Sequence, residues 1–187
     1  MRLYALCDQD MLDKKGLSLD TFLEKAKEHK AEIIQYRAKN ADIAFIKKQL
    51  IAIRKQYDGF LIVNDAYELI EFCDGVHVGQ EDLREIDEDI NKAVMILRSV
   101  IGNDKILGIS THNEEEVLQA NSMDLNYIGL GAYRDTATKK DVANILGNRL
   151  DSIAQLSDHY VAAIGGVRFD DTFEHVTYHV IGSGLFI

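Results

Sequence analysis

The chain has no proline and only two cysteines among its 187 residues. It also lacks any stretch of about 18 uncharged apolar residues, which argues against a helical membrane span. Cys7 and Cys73 have no metal-ligand spacing, and two isolated thiols suit a reducing compartment. The first residues, Met1-Arg2-Leu3-Tyr4-Ala5-Leu6-Cys7-Asp8, run straight into a strand-like pattern without the apolar core and cleavage site of a secretory leader. A cytoplasmic location is expected. Positive charge is also scarce: the formal net charge is −10, which excludes a phosphate-backbone-binding surface and so a nucleic-acid partner. A phosphorylated small molecule is still admissible, because a few convergent cations and a metal ion can hold one within an acidic protein. No G-x-S-x-G elbow, Walker loop or H-E-x-x-H pair occurs. The missing prolines imply no function.

An apolar fraction of 47% is enough for one sizeable core, and no linker or low-complexity tract divides the chain. One domain spanning residues 1–187 is therefore expected. Eight short, nearly continuous apolar runs read as strands buried on both faces: Leu3–Cys7, Glu32–Arg37, Phe60–Asn64, Gly75–Val78, Ile106–Ser110, Tyr127–Gly131, Tyr160–Ile164 and His179–Ile181. Amphipathic helical patterns lie between them at Leu19–Lys30, Ile43–Gln56, Ile90–Ile101, Glu114–Ala120 and Val142–Leu156. Asp42 and Asn113 stand as N-caps, and Asn113 has Glu116 three residues on, as in a capping box. Ala66–Cys73 and Phe169–Val176 have room for two helical turns each. Repeated strand–helix units leave a closed barrel or an open doubly wound sheet, and eight strands favour a compact α/β (β/α)8 TIM barrel. The chain stops just after the last strand, so the closing helix is expected to be missing or a stub. The outer side of that strand then needs cover from elsewhere, and a second copy in a homo-oligomer would supply it.

Polar and glycine residues gather past the C-terminal end of one strand after another, which a barrel brings to one rim. Arg37 and Lys39, two apart on a strand, would point to one side and offer a guanidinium fork and a point charge to a diphosphate. Alternatively they are a solvated strand end. Asp65 and Asp82 could share Mg²⁺, or each could cap a helix. Gly165 and Gly166 would let backbone N–H groups approach an anion, as would Gly182-Ser183-Gly184. Thr136, Thr138 and Lys139 add hydroxyls and a cation in a polar stretch with the character of a lid. His77 is either a substrate contact or a hydrogen-bonded core residue, and His112 is either a ligand contact or a helix cap. His29, His159, His175 and His179 are read as structural.

Taken in order, Gln35-Tyr36-Arg37-Ala38-Lys39, Asn64-Asp65, Gly75-Val76-His77-Val78-Gly79-Gln80-Glu81-Asp82, Gly108-Ile109-Ser110-Thr111-His112, Thr136-Ala137-Thr138-Lys139 and Ile164-Gly165-Gly166-Val167 resemble the thiamine-phosphate synthase and thiazole tautomerase family over nearly the whole chain. The resemblance implies condensation of a hydroxymethylpyrimidine diphosphate with a thiazole phosphate. Diphosphate would leave first, and the thiazole nitrogen would capture the pyrimidine cation. Arg37, Lys39, Asn64 and Lys139 would hold the diphosphate, with Ser110 contributing, and Asp65 and Asp82 would bind Mg²⁺. Of these, Arg37, Lys39, Ser110 and Lys139 are the catalytic candidates. Gln35 would contact the pyrimidine, and Thr136, Thr138, Gly166, Ser183 and Gly184 would surround the thiazole phosphate.

The sequence departs from the synthase pattern in two places. Gly131-Ala132-Tyr133-Arg134-Asp135 stands where Gly-Pro-apolar-Phe-Pro is usual, and Ala66 follows Asn-Asp in place of arginine. The tautomerase branch usually carries histidine where Ala132 stands and cysteine where Thr138 stands. Synthase is thus the favoured reading, with the tautomerase and a non-catalytic phosphate-binding paralogue as rivals.

Overall fold

The structure, a computed structural model, describes residues 1–135 and 145–187. Its eight strands are β1 (Arg2–Asp8), β2 (Ile33–Arg37), β3 (Phe60–Asn64), β4 (Gly75–Val78), β5 (Ile106–Thr111), β6 (Tyr127–Leu130), β7 (Tyr160–Ala163) and β8 (Tyr178–Ile181). Each pairs in parallel with the next, and β8 pairs back with β1, so the sheet closes into a barrel. All eight strands lie within a residue or two of their sequence-based bounds.

Two apolar clusters follow from the two faces of these strands. Tyr4, Ile33, Ile62, Tyr127, Ala162, Tyr178 and Val180 point into the barrel. Their neighbours, such as Ala5, Ile34, Val63, Val76, Ile109 and Ile128, point outward onto the helices. Burial on both faces is why the strands read as continuous apolar runs rather than alternating ones.

The helices are α1 (Gln9–Lys15), α2 (Leu19–Glu28), α3 (Ile43–Arg54), α4 (Gln80–Ile86), α5 (Ile90–Ile101), α6 (Glu114–Ala120) and α7 (Arg149–Ala154). Side-chain caps start several of them, as the sequence suggests. The Asp42 carboxylate accepts from the Phe45 N–H at 2.7 Å, and Asn113 accepts from Glu116 at 2.9 Å. Glu116 reaches back in turn, accepting from the backbone N–H of His112, one residue before the cap. The two helices absent from the sequence reading, α1 and α4, have seven residues each and bury only two apiece, too few to show a period.

Ala66–Cys73 holds a 3-10 helix over Tyr67–Phe72, two turns as expected. Two connections differ from expectation. The segment 169–176 contains no helix. α7 begins at Arg149, not Val142, because the N–H groups of Leu146 and Gly147 bond to the carbonyls of Ala132 and Tyr133, and Gly147 adopts φ +52°. Residues 142–144 of the expected helix lie outside the described residues.

The chain end forms the expected stub, a 3-10 turn over Ser183–Phe186. Cover for the outer side of β8 comes from the chain itself. Phe173 meets the His179 ring edge-on at 5.2 Å, and Phe186 of the stub reaches Phe22 on α2. His179 is accordingly buried, and the argument for a second subunit there falls away.

Candidate active site

The C-terminal ends of β1 to β5 assemble a charged and polar rim. Arg37 ends β2, and its guanidinium forms an ion pair with the Asp8 carboxylate at the end of β1. Asp8 is 3% exposed and also accepts from the Met11 N–H at 3.0 Å, so one side chain caps α1 and fixes the arginine. The sequence reading overlooked Asp8. Its available signal was a carboxylate closing an apolar strand, the position that marks the other rim residues.

Lys39 is not on a strand, as expected, but in the exposed turn that follows β2. β2–β3 pairing stops at Tyr36 and Val63, and the Ala41 N–H bonds back to the Ala38 carbonyl, which turns the chain. Strand alternation therefore does not set its direction. Proximity does bring it to the site: Lys39 and Arg37 both act electrostatically on the Asp65 carboxylate.

Asp65 lies at the centre of this half. Asn64, the last residue of β3, donates its side-chain amide to Asp65, and the Gly79 N–H after β4 donates to it at 3.3 Å. Its backbone sits in the left-handed region at φ 61°, unusual for a residue with a side chain. Burial and then the Asp82 charge push the carboxyl up to about 6, against the pull of the Gly79 bond, Lys39 and Arg37. Neither aspartate caps a helix. Gly79 occupies the cap of α4, and Asp82 lies in the first turn of that helix.

Beneath the rim, inside the barrel, runs a chain of buried polar contacts. Gln35 Nε2 donates to Tyr4 Oη at 2.7 Å, Tyr4 and Tyr127 hydroxyls meet at 2.8 Å, and Tyr127 Oη lies 3.0 Å from His77 Nδ1. His77 Nε2 is 3.0 Å from Ser110 Oγ, and Gln80 Nε2 donates to the Ser110 carbonyl at 2.7 Å. His77 thus contacts site residues and is also a hydrogen-bonded interior histidine. Two interior glycines give these rings room: a Cβ on Gly108 would lie 2.2 Å from the Tyr127 ring, and one on Gly129 would lie 3.0 Å from His77. Tyr4 and Tyr127 were absent from the sequence-based site because they read as strand aromatics, and only the closed barrel brings them together.

The opposite half of the rim is backbone-built. Gly165 and Gly166 follow β7 at φ 85° and 73°, conformations that side chains resist. The Tyr133 and Arg134 N–H groups bond to the carbonyls of Ile164 and Gly165 at 2.9 and 2.7 Å. A Cβ on Gly165 would come within 2.5 Å of the Ala132 Cβ, so the glycines admit a neighbouring chain segment as well as an anion. Arg134 forms two hydrogen bonds to Asp171 and one to the Gly166 carbonyl. Ser183 and Gly184 lie at the same end, in the turn after β8. Thr136, Thr138 and Lys139 lie outside the described residues.

The remaining histidines are tied into the scaffold. His112 pairs with Glu116, His159 with the Ala120 carbonyl and His175 with Asp151, while the His29 ring stacks on Phe169. A cleft of 430 Å³ lined by Arg54, Cys73, Asp74 and Lys105 lies on the opposite rim, where the strands begin, and contains none of the site residues.

A closed parallel barrel with carboxylates, cations and amides gathered at its strand ends defines the class, a (β/α)8-barrel protein with a polar C-terminal rim. The family model described as thiamine monophosphate synthase matches residues 3–183, and the chain belongs to that family. It is 34% identical over 172 residues to the thiamine-phosphate synthase of Persephonella marina, covering 89% of this chain and 77% of that protein. Against the thiamine-phosphate synthase of Alkaliphilus oremlandii the identity is 37%, over 90% and 78% of the two chains. The solved structure of a thiamine phosphate pyrophosphorylase from Pyrococcus furiosus superposes with a TM-score of 0.78 over 97% of this chain and 85% of that one. At 24% identity it supports the fold. Among the described residues, no helix is long and apolar enough to cross a membrane.

Proposed function

We propose that the chain condenses 4-amino-2-methyl-5-hydroxymethylpyrimidine diphosphate with a thiazole phosphate, giving thiamine phosphate and pyrophosphate, in the cytoplasm. The activity is that of a thiamine-phosphate synthase, a transferase that forms a C–N bond. One observation supports the site assignment: Asp82, Arg37 and Lys39, from the two neighbouring strand ends, all act electrostatically on the Asp65 carboxyl. Two crowded carboxylates beside two cations suit a diphosphate with a divalent ion.

The donor set fits Mg²⁺. Asp65 and Asp82 offer hard oxygen ligands, and the repulsion that raises Asp65 is what a cation would relieve. Bound there, Mg²⁺ would neutralise charge on the departing diphosphate.

The rest of the chemistry falls to positioning. The carbon–oxygen bond to diphosphate breaks with both electrons going to the leaving oxygen, and the thiazole nitrogen supplies the pair for the new carbon–nitrogen bond. No protein nucleophile or strong base is needed. Arg37, held by Asp8, Lys39 and the Asn64 amide take up the diphosphate charge, and the family resemblance adds Lys139. Gln35 faces the pyrimidine, and His77 holds Ser110 in place. The thiazole phosphate takes the glycine-rich half, with Gly165, Gly166, Ser183, Gly184, Thr136 and Thr138.

The test is direct. Purified protein is incubated with both substrates and Mg²⁺, and thiamine phosphate is measured against an Asp65→Ala control. Product at control level would overturn the synthase reading. Aromatisation of a thiazole carboxylate without condensation would replace it with the tautomerase.

A further inference from the structure

Five side chains from five strands form one continuous hydrogen-bonded path across the barrel: Gln35, Tyr4, Tyr127, His77 and Ser110. Its two ends are residues assigned above to the pyrimidine and the diphosphate. Of its three middle residues, the mechanism gives Tyr4 and Tyr127 no task. Their exposures are 1% and 3%, so each hydroxyl must find its partners inside the protein.

The path has a direction. Gln35 turns Nε2 towards Tyr4, so the Tyr4 oxygen is an acceptor there and has one proton of its own to place. Its other neighbour in the chain is Tyr127, whose oxygen Gln35 also reaches as a donor, so Tyr127 accepts on that side and spends its own proton on His77 Nδ1. An Nδ1 that accepts is unprotonated, so the ring proton sits on Nε2 and is donated to Ser110 Oγ. Burial pushes both phenols well above their ordinary range, so both keep their protons throughout the working pH range.

The consequence is felt at the ends. With Nε2 given to the two phenols, Gln35 keeps its carbonyl oxygen, an acceptor, for a different partner. Ser110, already accepting from His77, has its hydroxyl proton to donate. If Gln35 were turned over, every donor along the path would reverse and Ser110 would become an acceptor. The two ends cannot be set independently.

We propose that Tyr4, Tyr127 and His77 are positioning residues that lock Gln35 as an acceptor and Ser110 as a donor, and so select a pyrimidine bearing an amino group over its oxo counterpart. This rests on the synthase reading for the identity of the substrate. An amino group donates to a carbonyl oxygen. The oxo analogue presents an acceptor instead, and the locked amide cannot rotate to meet it. Ser110, as a donor, suits a diphosphate oxygen on which charge accumulates.

Two measurements on the protein test this. The first compares kcat/KM for the 4-amino pyrimidine diphosphate and its 4-oxo analogue, with thiazole phosphate and Mg²⁺, in the wild type and in Tyr127→Phe and Tyr4→Phe. Both changes keep the ring and delete one hydroxyl. The expected result is that preference for the amino substrate falls at least about tenfold in both variants. The loss should appear in the pyrimidine KM, while KM for the thiazole phosphate stays within about twofold. Unchanged preference in a folded variant would overturn the proposal, whatever happens to its melting temperature.

The second measurement needs no turnover. Long-range ¹H–¹⁵N correlation spectra report the His77 tautomer, which should be Nε2–H in the wild type and mixed in Tyr127→Phe. An Nδ1–H wild type would mean the path runs the other way, and the proposal would fall. If the wild type makes no thiamine phosphate, it is the synthase reading that fails, and the tautomer alone decides the direction of the path.

Discussion

The two halves of the rim are built by different means. At the ends of β2, β3 and β4 the work is done by charged side chains, each secured by a neighbour: Arg37 by Asp8, and Asp65 by Asn64 and Gly79. At the ends of β7 and β8 it is done by backbone, with two glycines in left-handed conformations and the 132–134 segment hydrogen-bonded across them. The first half gathers opposed charges at the cost of a crowded carboxyl. The second relies on shape, and its only ion pair, among the described residues of the 131–135 and 165–171 segments, is Arg134 with Asp171. Substitutions should therefore separate the halves, with side-chain changes acting on the diphosphate and backbone changes on the monophosphate.

The largest effect is expected from Asp65→Ala, which removes the central carboxylate. Turnover should fall by about 10²- to 10³-fold, the scale of losing a main electrostatic stabiliser. Initial rates of thiamine phosphate formation read this out, and a fall below tenfold would mean the charged half is not the reacting half.

Next comes Asp8→Asn. It unpairs a buried guanidinium, so about 3 kcal/mol of stability should go, as for one partner of a buried ion pair. The KM for the pyrimidine diphosphate should rise about tenfold as Arg37 loosens, with the thiazole phosphate KM unmoved. Denaturant melts and steady-state kinetics measure the two effects.

Gly165→Ala tests the other half. The added methyl meets Ala132 at 2.5 Å and is strained at φ 85°, so the variant should lose about 2 kcal/mol. Its kinetic defect should be the mirror image, a raised thiazole phosphate KM and an unchanged pyrimidine diphosphate KM. If both KM values move together, the division into halves is wrong.

The smallest effect is one of pH. The Asp65 carboxyl titrates near 6 in the folded chain and at an ordinary 3.8 when unfolded. Between those values the folded state holds the extra proton, so metal-free stability falls as pH rises through the window. The penalty is complete above about 6. At this part-exposed rim, solvent screening reduces the penalty to about 1 kcal/mol. Asp65→Asn should flatten that part of the stability profile and be more stable than the wild type at neutral pH while turning over poorly.

The barrel was legible because strands buried on both faces produce an apolar pattern that few other arrangements do. Short amphipathic helices leave weaker traces, which is why α1 and α4 escaped. Lys39 shows the limit of counting residues along a strand, since the last pairing of β2, Arg37 with Asp8, ends two residues before it. Asp65 and Asp82 were found from composition at strand ends, but their mutual influence depends on the closeness of the ends of β3 and β4. Tyr4 and Tyr127 could not be found that way. They are 123 residues apart, and aromatic residues in apolar runs look like packing. Arg134 shows the converse. In sequence it is an unexplained departure where phenylalanine is usual, and in space it has an aspartate, Asp171, and a glycine carbonyl to hold.

The stretch between β7 and β8 has a further consequence. Those two strands share only two paired positions, Ala162 with Tyr178 and Ala163 with His179, where other neighbours share up to five. With no helix bridging them, this is the seam along which the cylinder would first come apart, and amides beside it should exchange with deuterium sooner than those of β2 and β3. Gly166 and Ser183 stand on either side of it. A thiazole phosphate gripped by both would act as a clasp, and slowed exchange along the seam would report the ligand's arrival before any chemistry occurs.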